Sequence, residues 1–306
     1  MSDERASGVF PPARKRRTAG LLAVARHLSL DVALGSVCVG SMAVVVSHAV
    51  LPAVWWFLLP AGVWLTYTID HLLDAARVGP SAQTARHRFH ALHFNAIRRA
   101  CLIVAVAAGL AALFLSVELL LFGLAMIALS GLHLWLTRRI GAAVRPWLTK
   151  ELAVAFVYAV GIFGGPLLCG AWREPSPWLC FFAVLCLASA NLIFFARMEI
   201  DSDRYDGHSS LAQVLGPFHS DFLAAAFCFA ALLPSLLVLL LQDPNHWAYF
   251  GPLHLETIVP VVGLMSATLL SLIIGAHRPF VQRNYRALGD AVFLLPALVP
   301  LLEWLL

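Results

Sequence analysis

Two acidic clusters carry the chemistry that this sequence suggests. The first is Asp70-His-Leu-Leu-Asp74, which closes the apolar run LPAVWWFLLPAGVWLTYTI. The second is Glu199-Ile-Asp201-Ser-Asp203, with Asp206 three residues on, which closes SPWLCFFAVLCLASANLIFFAR. Asp70 and Asp74 share an i, i+4 spacing, as do Glu199 and Asp203, so on a helix each pair lies on one face about one turn apart. Carboxylates at the mouth of a membrane helix are costly unless a cation compensates them. Two such faces meeting would form a set of oxygen ligands for a hard cation, which suits Mg²⁺ bridging to phosphate oxygens.

The elements that must position these acids are membrane helices. The chain of 306 residues is 60% hydrophobic and 12% charged, about half the charged fraction of an ordinary soluble domain. Apolar stretches of about 18 to 24 residues, long enough to cross a bilayer as helices, recur at about 28–48, 51–69, 99–116, 118–136, 151–170, 177–197, 221–241, 257–275 and 288–306. The expectation is an all-α polytopic protein with nine transmembrane helices, in which 1–20 form a disordered basic tail and 21–306 a single membrane domain. Every Lys and Arg except Arg173 falls on one side of that alternation, so the positive-inside rule makes that side cytoplasmic, with the amino terminus inside and the carboxyl terminus outside. A bacterial inner membrane is the expected location. The net charge of +4 then reflects topology and contact with membrane lipids rather than nucleic-acid binding. Four crossings separate the two acidic clusters, and an even number returns the chain to the same face.

Other residues carry weaker signals. Cys38, Cys101, Cys169, Cys180, Cys186 and Cys228 contain no CxxC pair and read as apolar packing residues. His87, His90 and His93, spaced by three in RHRFHALH, read as an amphipathic loop helix on the membrane surface. Gly161 and Gly164-Gly165-Pro166 either loosen the fifth span or let it pack closely. The ionisable residues within spans, Asp31, His133, Asp221 and Asp290, stay near span ends, whereas an ion-coupled transporter more often places carboxylates at the midplane.

At the acidic clusters the sequence resembles the UbiA-type intramembrane prenyltransferase superfamily, with nine helices, an NDxxDxxxD motif ending helix two and a DxxxD motif ending helix six. Thr66-Tyr67-Thr-Ile-Asp70-His-Leu-Leu-Asp74 matches the second and third aspartates of the first motif but has Thr66-Tyr67 in place of Asn-Asp. Glu199-Ile-Asp-Ser-Asp203 matches the second motif with Glu for its first Asp, and Thr149-Lys150-Glu-Leu is similar to a family segment whose Lys contacts diphosphate. The resemblance implies a UbiA-like helical bundle and Mg²⁺-dependent transfer of an isoprenyl group from an isoprenyl diphosphate to a lipophilic acceptor, aromatic or a quinone precursor. Asp70, Asp74, Glu199 and Asp203 are the implied catalytic and metal residues. Lys150, with Arg77, Arg86 and Arg88 as loop candidates, would hold the diphosphate. Tyr67, Phe156, Tyr158, Phe194 and Phe195 are candidates for facing an allylic cation, and an apolar cavity should lie beneath the acids. Two other functions fit these residues: a terpene cyclase on the same fold, and a non-catalytic isoprenoid- or quinone-binding protein, which Thr66-Tyr67 favours.

Overall fold

The computed structural model describes residues 20–78, 84–139, 150–170, 172–206, 209–241 and 253–305. The basic tail and Arg145 lie outside them. Thirteen α-helices run in the order α1 (Leu21–His27), α2 (Leu30–Ser47), α3 (Trp55–Val78), α4 (Ala85–Leu92), α5 (Phe94–Ala112), α6 (Val117–Arg139), α7 (Lys150–Cys169), α8 (Pro175–Met198), α9 (Ile200–Asp206), α10 (Leu211–Leu241), α11 (Leu253–Ile274), α12 (Pro279–Val292) and α13 (Leu298–Leu305). There is no strand among the described residues.

Eight helical segments among the described residues are long and apolar enough to cross a membrane. The expected second span is the difference. Its helix, α3, has 24 residues, but Trp, Tyr, Thr and Pro side chains and its acidic end dilute its apolar character. The last crossing segment begins earlier than the apolar run indicated, at Pro279. It joins amphipathic α12, whose buried side holds Val281, Gly289, Asp290 and Val292, to α13 through a 3₁₀ turn over Leu295–Ala297.

Helix α8 is the centre of the bundle. It packs against α7 and α10 most extensively and also touches α2, α11 and α12. Val184, Leu187, Ile193 and Phe194 on α8 are fully buried among Ile162, Phe163, Val39, Met42, Met265 and Leu269. Lipid tails are as apolar as these side chains, so close van der Waals packing through small residues, rather than hydrophobic burial, holds such helices together. Ala155 and Ala159 on α7 and Ala183 and Ala190 on α8 accordingly bring the backbones near. The glycines of α7 serve the same end. A side chain at Gly164 would meet the Phe122 ring, one at Gly165 the Trp55 indole, and α7 runs on through Pro166 to Cys169. The two readings of that segment are thus decided in favour of close packing. Helix α6, by contrast, is exposed nearly all along its length and packs against α7 alone at any extent. An apolar helix of this kind presents its surface to lipid.

Helix α10 contains a sharp bend. Gly216 has φ 76° and ψ 167°, a conformation closed to residues with a Cβ, and Pro217 follows it with a ring that fixes φ and donates no hydrogen bond. The bend swings Leu211 back so that its amide donates to Glu151 Oε1 at 3.0 Å, which ties the loop after α9 to the start of α7.

Candidate functional site

The acidic ends of α3 and α8 meet around the first residue of α7. Helix α3 presents Asp70 and Asp74 one turn apart, and Lys150 Nζ stands 3.4 Å from Asp70 Oδ2. The same ammonium lies within electrostatic reach of Asp203 on α9. Lys150 therefore links the two motifs, which local spacing alone could not place together. Asp74 faces His87 Nε2 across 3.9 Å.

Glu199 ends α8 and is held differently. Arg286 on α12 donates from Nε to Glu199 Oε1 at 2.6 Å and from Nη2 to Oε2. The Tyr285 hydroxyl donates to Oε1 as well. A bidentate guanidinium–carboxylate pair is among the strong polar contacts available to a protein. Burial by itself would raise the Glu199 carboxyl, but the Arg286 charge and these hydrogen bonds outweigh it and hold the group below its usual range. Asp203, one turn on, has no such clamp. Burial first, and then the Glu199 charge, push its carboxyl up to about 7 against the opposing pull of Lys150 and Arg286.

The residues inferred from sequence divide into two groups. Asp70, Asp74, Glu199, Asp203, Lys150 and Arg86 gather at this end of the bundle. Arg77 and Arg88 are exposed, as is Asp201; the Asp206 side chain lies outside the described residues. Thr66, in place of the first residue of the motif, donates its hydroxyl to its own helix at Gly62 O, 2.9 Å away. Tyr67 turns instead into a cavity.

Helix α4 departs from the surface-helix expectation. Thr84 caps it by accepting from His87 N, and it docks on α3 with Arg86 and His90 buried. Arg86 Nη1 donates to His71 Nε2 at 3.0 Å, and His90 donates from Nδ1 to Arg86 O at 3.0 Å. Burial lowers His90 to about 4 against that hydrogen bond, so the ring is neutral. The periodicity of RHRFHALH showed an amphipathic helix correctly; it could not show that the polar face turns inward, where the Arg86–His71 contact compensates it.

A small cavity, about 50 Å³ in volume, lies beside the Glu199–Arg286 pair between α2, α3, α4, α7, α8 and α12. Its wall includes Tyr67, Arg86, Tyr158, Asn191, Arg286 and Asp290, closed on the apolar side by Phe195 and Phe293. The ring of Tyr158 meets Phe293 edge to face at 5.9 Å, and the Arg286 guanidinium lies over Phe195 at 5.1 Å. These aromatic side chains wall the apolar side of this small cavity. The volume admits a few water-sized groups, not an isoprenyl chain. Arg286, Tyr285 and Asn191 are the residues that sequence reasoning missed. One signal was available: Arg286 and Asp290 share the i, i+4 spacing on amphipathic α12.

Oxygen donors of the type in Asp70, Asp74 and Asp203 suit a hard divalent cation, and Asp203, buried beside Glu199 with its carboxyl raised, is a group that an added cation would relieve. Glu199 does not fit as a ligand while Arg286 and Tyr285 occupy its oxygens. Among the described residues no group of three or more His, Cys, Asp or Glu is close enough to hold a metal ion as arranged here.

No family model and no curated protein matches the sequence. Solved structures similar to it include the following two. One is the apo form of a UbiA homolog from Aeropyrum pernix K1, with 17% identity and a TM-score of 0.63 over 89% of this chain and 98% of that one. The other is a digeranylgeranylglyceryl phosphate synthase, with 12% identity and a TM-score of 0.54 over 90% of this chain and 98% of that one. With both acidic motifs at one end of an all-helical membrane bundle of this shape, the chain has the UbiA-type fold.

Proposed function

We propose that the protein is a prenyltransferase that moves an isoprenyl group from an isoprenyl diphosphate to a lipophilic acceptor within the membrane. The observation that carries this reading is Lys150, paired with Asp70 at 3.4 Å and within reach of Asp203. A single ammonium between two acidic helix ends is where a diphosphate and its counter-ions would settle. The likeness of fold to a digeranylgeranylglyceryl phosphate synthase supports the same class.

Asp70 with Asp74, and Asp203 separately, would each offer one or two carboxylates to Mg²⁺, with phosphate oxygens supplying further ligands, and such an ion would neutralise the charge that gathers on a leaving diphosphate. Lys150 shares that task by donating to phosphate oxygens, and its pairing with Asp70 fixes the ammonium before substrate arrives. Arg86 points a second cation toward the same end from the cavity wall. Arg286 keeps Glu199 neutralised, so that the two-fold negative charge of Glu199 and Asp203 does not oppose an anionic substrate. Tyr67, Tyr158 and Phe195 line the small cavity beside the Glu199–Arg286 pair, where aromatic rings favour a nearby positive charge.

The clamp on Glu199 favours a second reading, in which the fold binds an isoprenoid or quinone without turnover. Purified protein in nanodiscs, incubated with isoprenyl diphosphates of graded chain length and assayed for pyrophosphate, separates the two. Mg²⁺-dependent release that Lys150→Ala reduces supports the transferase reading. Its absence with every diphosphate, Mg²⁺ present or not, supports the binder.

A further inference from the structure

The first turn of α7 serves two neighbours. Lys150 pairs with Asp70 on α3. The next residue, Glu151, reaches the start of α10, where Leu211 N–H donates to its Oε1 at 3.0 Å. Successive helical residues point about 100° apart, so one turn can hold both partners.

A helix start leaves its first amides without partners in its own backbone, and serine ordinarily caps them. Ser210 stands just before α10, yet its hydroxyl is buried and has no hydrogen-bond partner among the described residues. Glu151, 60 residues away, takes the Leu211 amide instead. Its carboxylate is 8% exposed, and its second oxygen, Oε2, also lacks a hydrogen-bond partner among the described residues. A buried carboxylate with so few donors is costly. The positive end of α10 and the neighbouring Lys150 charge offset part of that cost.

The position of the contact shows what it controls. Helices α3 and α8, which end in the two acidic motifs, make no extensive contact with each other among the described residues. Helix α7 joins them, through Lys150 on one side and its packing on α8 on the other. Asp203 lies on α9, which packs against α10, and four residues separate Asp206 from Leu211. Fastening the start of α10 to α7 therefore limits where Asp203 can stand relative to Lys150.

We propose that Glu151 is a positioning residue for the diphosphate site: by holding the Leu211 amide it keeps Asp203 in register with Lys150 and Asp70. The ligand, a diphosphate, is taken from the prenyl-transfer reading, on which this role rests.

The test is isothermal titration of the full chain in lipid nanodiscs with inorganic pyrophosphate in the presence of Mg²⁺, empty discs subtracted, beside thermal unfolding of each variant. Glu151→Ala is expected to weaken pyrophosphate binding by about tenfold or more, because a small misplacement of binding groups has a large effect. Leu211→Pro removes the amide donor at a helix position that accepts proline. It should match Glu151→Ala, and the double variant should be no weaker than the worse single one. Glu151→Gln retains an acceptor oxygen and should restore binding to within about threefold. A role in stability alone would lower the unfolding temperatures and leave pyrophosphate affinity intact, and that result would overturn the proposal. A Gln variant as weak as the Ala variant would overturn it too, since the charge rather than the amide contact would then be what acts. If Glu151→Ala does not fold, Leu211→Pro against Glu151→Gln makes the same comparison. The expected affinities without pyrophosphate release from any isoprenyl diphosphate would remove the transferase reading and leave Glu151 in its role. Release with unchanged affinity in the Ala and Pro variants would remove Glu151 alone.

Discussion

Replacing Arg286 tests whether Glu199 is a clamped structural acid or a waiting metal ligand. The guanidinium makes two charge-assisted hydrogen bonds to Glu199, and Tyr285 adds a third contact. Hydrogen bonds to charged groups contribute about 1.5–3 kcal/mol each when partly shielded from water. Breaking a buried pair by removing one partner costs about 3–5 kcal/mol, since a lone charge remains. The Arg286 side chain retains 33% of its exposure and that of Glu199 12%, so the lower end applies. Arg286→Leu is expected to destabilise the protein by about 3 kcal/mol in a detergent unfolding assay. Arg286→Leu with Glu199→Gln should recover about 2 kcal/mol of that loss, because no uncompensated carboxylate is left. The pH dependence has a definite sign. The Glu199 carboxyl is held below its ordinary 4.5, so the pair's contribution is fully present above about pH 4.5 and is lost as pH falls through the depressed folded value. A double-mutant coupling below about 0.5 kcal/mol, or a stability of Arg286→Leu that tracks the unmodified protein at every pH, would refute the clamp and return Glu199 to the metal set.

Asp203 is expected to behave in the opposite way. Its carboxyl is raised from 3.8 to about 7, so its ionised form disfavours the folded state increasingly as pH rises from about 4 to 7; Asp203→Asn should stabilise the metal-free protein by about 2 kcal/mol at pH 8 and by nothing at pH 3, read from thermal unfolding. Mg²⁺ should raise the unfolding temperature of the unmodified protein at pH 8 and leave that of Asp203→Asn nearly unchanged. Lys150→Ala is expected to lower diphosphate release by at least about tenfold, with partial recovery in Lys150→Arg, since the charge beside Asp70 is what acts on phosphate; full turnover in the Ala variant would remove Lys150 from the site. Gly289→Ala should cost about 1–3 kcal/mol of stability through overpacking against Asn191 and Phe195, and a variant as stable as its parent would show that α12 sits farther from α8.

Local periodicity carried much of this protein. Long apolar runs, with a charged fraction too low for a soluble surface, determine helices that satisfy their own backbone within lipid, and that requirement leaves few alternatives. The i, i+4 spacings of Asp70 with Asp74 and of Glu199 with Asp203 likewise place each pair on one helix face whatever the tertiary arrangement. Parity of crossings brings both to one end. What neighbours each acid is a different question, because it depends on contacts between residues far apart in the chain. Glu199 meets Arg286 across 87 residues, and nothing near residue 199 marks which of many arginines will pair with it. Helix α4 shows the same limit: its polar residues look solvated until α3 supplies His71 for Arg86. The cavity at Asp290 draws its lining from six helices. Sequence alone determined the membrane-helical class and where the acids cluster. Tertiary packing alone decided which acids keep a counter-ion, since burial and opposing charge are properties of the assembled bundle.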